Sequence, residues 1–134
     1  MKFKHYLLFA SLLCFGYFLQ AQEPPDMTNC KKFRTGTFKY LDPALEGVTV
    51  KRTQKKQTET VGKGKSKKTF TFDIVWTSPA NYTLTLKEVS DYGDRNLIGT
   101  RLNVQIAEVN GDQYSYVSYD DKGSRKEGKV KQVK

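Results

Sequence analysis

The chain has 134 residues and a formal net charge of +9, with 23 Lys and Arg against 14 Asp and Glu, one His and two Cys. Such a length suits one small domain with a modest core. Imidazole and thiol are scarce, and His5 and Cys14 both stand in or beside an N-terminal apolar stretch, so the remainder of the chain lacks the parts for Ser-His-Asp or Cys-His catalysis.

The chain opens with MKFKHYLLFASLLCFGYFLQAQ, a short basic start followed by an uncharged, mostly apolar run from Tyr6 to Leu19. That run is shorter than the roughly 20 residues needed to span a bilayer, but it fits the core of a signal peptide. Residues 1–21 are read as a signal peptide cut after Ala21, and the protein as exported, either periplasmic or secreted. Cys14 follows Ser-Leu-Leu and Cys30 lies far from the apolar run, so neither has the surroundings of a bacterial lipid-attachment site. Without the leader, Cys30 is the one remaining thiol, which rules out an internal disulfide and a usual structural zinc site. Standing just before the first strand, Cys30 is expected to be exposed, and a Cys30-linked dimer stays open beside a monomer.

Residues 22–32 (QEPPDMTNCKK) read as a flexible lead-in, and 33–134 as a single domain. KFRTGTFKY is the first expected strand, ended by Asp42-Pro43. EGVTVKRTQ and QTETVGK follow. In KTFTFDIVW, the apolar Phe70, Phe72, Ile74 and Trp76 alternate with Thr69, Thr71 and Asp73. Beyond a turn at Ser78–Asn81, YTLTLKEV places Tyr82, Leu84 and Leu86 on one face, and the two segments should form an antiparallel hairpin. RLNVQIAEV repeats the pattern, Asn110-Gly111 marks a hairpin turn, and QYSYVSY follows. A turn at Asp121–Ser124 leads to the basic last strand RKEGKVKQV. No segment carries apolar residues at helical spacing over ten or more positions, so the fold is read as all-β. About eight short antiparallel strands with mostly short connections favour a small up-and-down barrel, with a two-layer sandwich as the alternative. The longer connection, Ser90–Gly99, is where a loop-borne function would sit.

The basic residues are concentrated. Lys51, Arg52, Lys55, Lys56, Lys63, Lys65, Lys67 and Lys68 face one acidic residue, Glu59, within 51–68, and a second basic segment closes the chain. Lys63, Lys65, Lys67 and Lys68 are therefore candidates for contact with an anionic polymer or membrane surface. The plainer reading is a solvated edge that blunts strand-to-strand association. Aromatic residues are not interleaved with these lysines, which argues against nucleic acid. VGKGKSKK fails as a phosphate loop, because Glu59 stands where a glycine is needed and a strand follows instead of a helix. Asp120-Asp121 and Asp91 with Asp94 read as turn formers, and Asp91 with Asp94 lacks a full calcium ligand set. Neither a cofactor nor a metal site is expected, nor is enzymatic activity.

The most informative polar set is Arg52, Gln54 and Glu59. A turn at Lys55-Lys56 would place Arg52 opposite Glu59 and Val50 opposite Val61, giving a charged pair on the face of the core valines. Such a pair can orient a ligand in a barrel mouth, or simply satisfy itself as a half-buried ion pair. The alternating aromatics, Tyr40, Tyr82, Tyr114, Tyr116 and Trp76 among them, read as core, with a tyrosine-lined ligand cavity as the alternative.

CKKFRTGTFKY, VKRTQKKQTE and IVWTSPANYTLT together resemble a family of small exported proteins of Bacteroidetes-type bacteria. Its pattern is a Cys, a Phe-x-x-Gly-x-Phe segment, an Arg followed by Gln-x-Glu, and a Trp followed by a segment with Cys, Tyr and Leu. Here it falls on Cys30, Phe33, Gly36, Phe38, Arg52, Gln57, Glu59, Trp76, Tyr82 and Leu84. The chain departs from it at Asn81, where the pattern has a second cysteine. Proteins of this kind sometimes carry the label DNA topoisomerase IV, which a short chain without a strand-cleaving site does not support. Separately, Gly36-Thr37-Phe38 is similar to the Gly-x-Trp of the lipocalin first strand, which implies a lipocalin-like barrel. The expected function is non-enzymatic binding of a small apolar ligand or a partner, with Arg52, Glu59, Trp76 and Tyr82 as the ligand-facing residues.

Overall fold

The computed structural model describes residues 27–134, so the expected signal peptide and cleavage site lie outside the described residues. Eight strands run β1 Gly36–Tyr40, β2 Thr49–Arg52, β3 Lys56–Val61, β4 Lys68–Ser78, β5 Asn81–Val89, β6 Arg101–Asn110, β7 Gln113–Asp120 and β8 Arg125–Val133. Each pairs antiparallel with its sequence neighbours, and β1 pairs with β8, so the sheet closes into an up-and-down barrel. The barrel, and not the sandwich, is the architecture.

Alternation decides which residues point inward. Phe38, Val50, Phe72, Ile74, Tyr82, Leu84, Leu86, Val104, Ile106, Tyr114 and Val130 form the buried interior. The intervening positions, such as Lys51, Thr58, Thr71, Thr83 and Asn103, face outward and are polar. A wall apolar inside and polar outside is the reverse of a membrane-spanning barrel. Each fully buried Phe or Leu contributes about 1.5–3 kcal/mol, so the inner face is the main source of stability.

The start of the chain differs from the sequence expectation. Phe33 does not open the first strand. It sits in a 3-10 helix, Met27–Arg34, that occupies the end of the stretch read as a lead-in. This helix brings Cys30 and Phe33 to complete burial at one end of the barrel. Cys30 is thus a core residue and not an exposed one, because the helix lays its apolar side chains across the barrel opening. Phe33 stacks 4.9 Å from Tyr114 and 6.5 Å from Phe38. The Gln132 side-chain amide donates to the carbonyls of Lys32 (2.9 Å) and Thr35 (3.0 Å), and Lys32 bonds the Gly111 carbonyl, which anchors the helix to the barrel rim. Gly36 makes the turn into β1. Its φ of 127° lies in the region that favours glycine, and a Cβ there would fall 2.7 Å from Nε2 of Gln132.

The β2–β3 register also differs. Arg52 pairs with Gln57 and Val50 with Glu59. The turn lies one residue earlier than expected, at Gln54-Lys55: Thr53 N–H donates to the Lys56 carbonyl at 2.8 Å, and the Lys56 N–H donates to the Thr53 hydroxyl at 3.2 Å. A threonine able to close the turn with its own hydroxyl outweighs the Lys-Lys pair, which has no turn chemistry. The shift is two residues, so side-chain direction is kept and Arg52 and Glu59 still point inward.

Glycine packing gives a direct test. Gly128 on β8 lies opposite Tyr116 on β7, whose ring covers it. An added Cβ would meet the Tyr116 hydroxyl oxygen at 2.5 Å and Cζ at 2.6 Å. Gly128→Ala should displace the ring and lower stability by about 1–3 kcal/mol, read as a shift in urea midpoint with an unchanged slope. An unchanged midpoint would mean that the ring moves freely.

Candidate functional site

In an up-and-down barrel successive connections lie at opposite ends. The 3-10 helix, the β2–β3, β4–β5 and β6–β7 turns and the chain end form the floor. The β1–β2, β3–β4, β5–β6 and β7–β8 connections surround the other end, the mouth. A cavity of about 400 Å3 runs inside the barrel, from Arg52, Tyr82 and Tyr114 at the floor to Leu45, Leu97 and Lys126 at the mouth. Its walls are mainly apolar, with Val50, Phe72, Leu84, Leu86, Leu102 and Val104 contributing the greater part.

The floor is built on Arg52. Only 4% exposed, it sits at the end of β2, where the inward register aims it under the interior. Its Nε donates to Oε1 of Gln57 at 2.9 Å and its Nη1 to the Phe33 carbonyl at 2.7 Å. Its Nη2 donates to the hydroxyls of Tyr114 at 3.1 Å and Tyr82 at 3.4 Å. The two hydroxyls lie 3.0 Å apart and share a hydrogen bond. The guanidinium also packs 4.5 Å from the ring centre of Phe38 and 4.9 Å from that of Tyr82, a favourable placement for a desolvated cation. Burial draws the Arg52 pKa down, the phenol oxygens of Tyr82 and Tyr114 raise it, and the balance lies above the ordinary value. The group therefore stays charged.

Arg52 and Glu59 do not meet as an ion pair. Gln57 stands between them: its Oε1 accepts from Arg52, and its Nε2 donates to Oε1 of Glu59 at 3.0 Å. Tyr40 donates to the same carboxylate oxygen at 2.6 Å. A neutral amide thus passes the charge interaction along β3 and satisfies both ends, which keeps two charges inside a small barrel tolerable. Burial holds the Tyr40 and Tyr82 hydroxyls well above their ordinary pKa. For Tyr40 the Glu59 charge adds to the effect, and for Tyr82 Arg52 partly offsets it. Burial also pushes Tyr116 up to about 12.

Arg52, Glu59 and Tyr82 therefore gather around one cavity, whereas Trp76 lies behind it. The Trp76 ring stacks 4.7 Å from Tyr82, with the guanidinium of Arg34 at 5.2 Å and that of Arg52 at 6.0 Å. Gln54 lies in the exposed β2–β3 turn, and the buried glutamine is Gln57, only 1% exposed. Of these polar residues, only the Gln-x-Glu pattern pointed to Gln57. Tyr40 and Tyr114 complete the network but looked like any alternating tyrosine. Lys63, Lys65 and Lys67 are exposed in the β3–β4 loop at the mouth. Lys68 is engaged, 3.1 Å from Asp91 and 3.2 Å from Asp94. The loop aspartates are thus the partners of a lysine, and no group of three or more His, Cys, Asp or Glu suited to a metal occurs among the described residues.

Comparison of the chain with protein-family models, with curated proteins and with solved structures found no match.

Two outcomes test this geometry. Arg52→Met would leave the Phe33 carbonyl, Gln57 and two buried hydroxyls short of a donor, and should cost about 2–4 kcal/mol in urea unfolding. The second concerns alkali. Unfolded tyrosine ionises near 10.0 and folded Tyr116 near about 12, so its contribution to stability is complete below pH 10 and is lost as pH rises toward 12. The urea midpoint should fall above pH 10, and Tyr116→Phe should flatten that fall; equal slopes in both proteins would contradict the assignment.

Proposed function

We propose that this barrel is a non-enzymatic binding protein that holds a small apolar ligand in its interior. The observation that carries the reading is the cavity itself, about 400 Å3 with predominantly apolar walls and a mouth at one end. Eight-stranded barrels have an interior just wide enough to be filled by side chains or to hold one small ligand, and this one keeps its volume open. The size falls in the range of small-molecule sites, where a few placed polar groups set orientation within an apolar enclosure. Arg52, Tyr82 and Glu59 supply those groups. A ligand with an apolar body and one polar end would lie with that end against the Tyr82 and Tyr114 hydroxyls. Export, read from residues 1–21, places this binding outside the cytoplasm. The network of Arg52, Gln57 and Glu59 has no nucleophile paired with a base, so its chemistry is that of recognition.

Filling the cavity tests the reading. Leu84→Phe and Val104→Phe each add volume to the wall at mid-depth. Either should weaken binding of the neutral apolar dye N-phenylnaphthylamine about tenfold, while circular dichroism reports the native strands. Dye emission, and quenching of Trp76 behind the floor, supply two independent readouts. Unchanged dye affinity in both variants would remove the interior as the binding site.

A further inference from the structure

We propose that the mouth of the barrel is a docking surface for bilayers containing anionic phospholipid. Eight large apolar side chains are exposed among the described residues, and six of them, Leu41, Leu45, Val61, Tyr92, Leu97 and Ile98, lie at this one end. The other two, Val75 and Tyr119, are scattered singly on the outer wall, as is ordinary for a soluble surface. Tyr92 is 80% exposed at the start of its 3-10 helix, Tyr92–Leu97. An apolar concentration of this kind marks an interaction site.

The barrel order fixes its electrostatic setting. The β3–β4 loop lies between the β1–β2 loop, which carries Leu41 and Leu45, and the β5–β6 loop, which carries Tyr92, Leu97 and Ile98. That middle loop presents Lys63, Lys65 and Lys67, all exposed and without an ion-pair partner among the described residues. Lys68 binds Asp91 and Asp94, which ties the β5–β6 loop to the base of the lysine loop and neutralises its two aspartates. The Asp42 and Asp120 carboxylates at the same end accept backbone N–H bonds from Ala44, and from Lys122 and Ser124. Glu46 and Asp121 stay exposed in the β1–β2 and β7–β8 connections, and the β3–β4 loop holds three lysines without an acidic residue, flanked on both sides by apolar side chains. A bilayer interface offers the complement, with anionic headgroups for the lysines and an acyl boundary for the apolar groups. A soluble acidic polymer would match the lysines but leave the six apolar side chains without a partner. The docking needs no ligand in the barrel. Where the cavity reading holds, Leu45, Val61 and Leu97 belong to both the docking face and the cavity wall, so an apolar molecule can pass from lipid to interior without crossing water.

Co-sedimentation of the purified protein with vesicles tests this directly. Binding is expected to vesicles of phosphatidylcholine with phosphatidylglycerol, to fall with added salt, and to be weak with phosphatidylcholine alone. Lys63→Glu, Lys65→Glu and Lys67→Glu together should reduce partitioning at least about tenfold. Leu97→Ser with Ile98→Ser should also reduce it. Reversing Lys31, Lys55 and Lys131 at the floor changes net charge equally and should leave vesicle binding intact. No binding to anionic vesicles, or equal losses from floor and mouth reversals, would overturn the proposal. So would vesicle binding that ignores Leu97→Ser with Ile98→Ser, because the surface would then be a site for acidic polymers. N-phenylnaphthylamine binding without vesicles is measured on the same variants, which separates failure of the docking face from failure of the cavity.

Discussion

The interior is organised around one buried cation. Arg52 joins the three parts that must meet at the floor: the 3-10 helix through the Phe33 carbonyl, β3 through Gln57, and β5 and β7 through Tyr82 and Tyr114. A guanidinium suits this position because its planar fork carries several donors in fixed directions, and its flat faces pack on aromatic rings. Burying a charge is costly unless its donors are occupied, so the floor residues are constrained together. Phe33 and Cys30 close the barrel only when the 3-10 helix is held where Arg52 can reach its backbone.

Most of the barrel was legible in the sequence because a half-buried strand writes its period directly. Phe70, Phe72, Ile74 and Trp76 alternate cleanly, and Asn110-Gly111 and Ser78–Asn81 connect strands where turn chemistry places them. The floor was less legible for physical reasons. Phe33 sits three residues before a strand of matching composition, and the positive φ of Gly36 marks the break between helix and strand. Nothing local in NCKKF says that its cysteine will be covered, since that burial comes from strands remote in sequence. The register of β2 against β3 depended on whether Thr53 or the two lysines shape the turn. The parity of the strand kept Arg52 and Glu59 on the inner face in either case, so the inward charges were readable, while Gln57 was marked only by the Gln-x-Glu pattern and not as the residue that joins them.

The aromatic residues explain why space remains inside. Phe33, Phe38, Trp76, Tyr82 and Tyr114 crowd the floor, with ring contacts from 4.7 to 6.5 Å. Above them Tyr40, Phe70, Phe72 and Tyr116 share the wall with Leu and Val side chains, and about 400 Å3 between them stays open. The floor is closed by the 3-10 helix, and the mouth is ringed by the four loop connections. Division of this kind is expected where a rigid scaffold presents variable loops.

It also changes how the lysine-rich stretch is understood. Taken along the chain, VGKGKSKK and the apolar alternation looked like competing accounts, one of a basic surface and one of an apolar cavity. Strand order brings them to the same end, because the β3–β4 connection is one of the four that surround the mouth. A loop needed only to limit edge pairing would gain nothing from its position, since a closed barrel has no free edge to protect. The proposed bilayer docking gives these lysines a different account from the one that serves open sheets. Unpaired Lys is well hydrated in water, whereas exposed Leu and Ile gain by leaving it; at the proposed bilayer interface both would find partners.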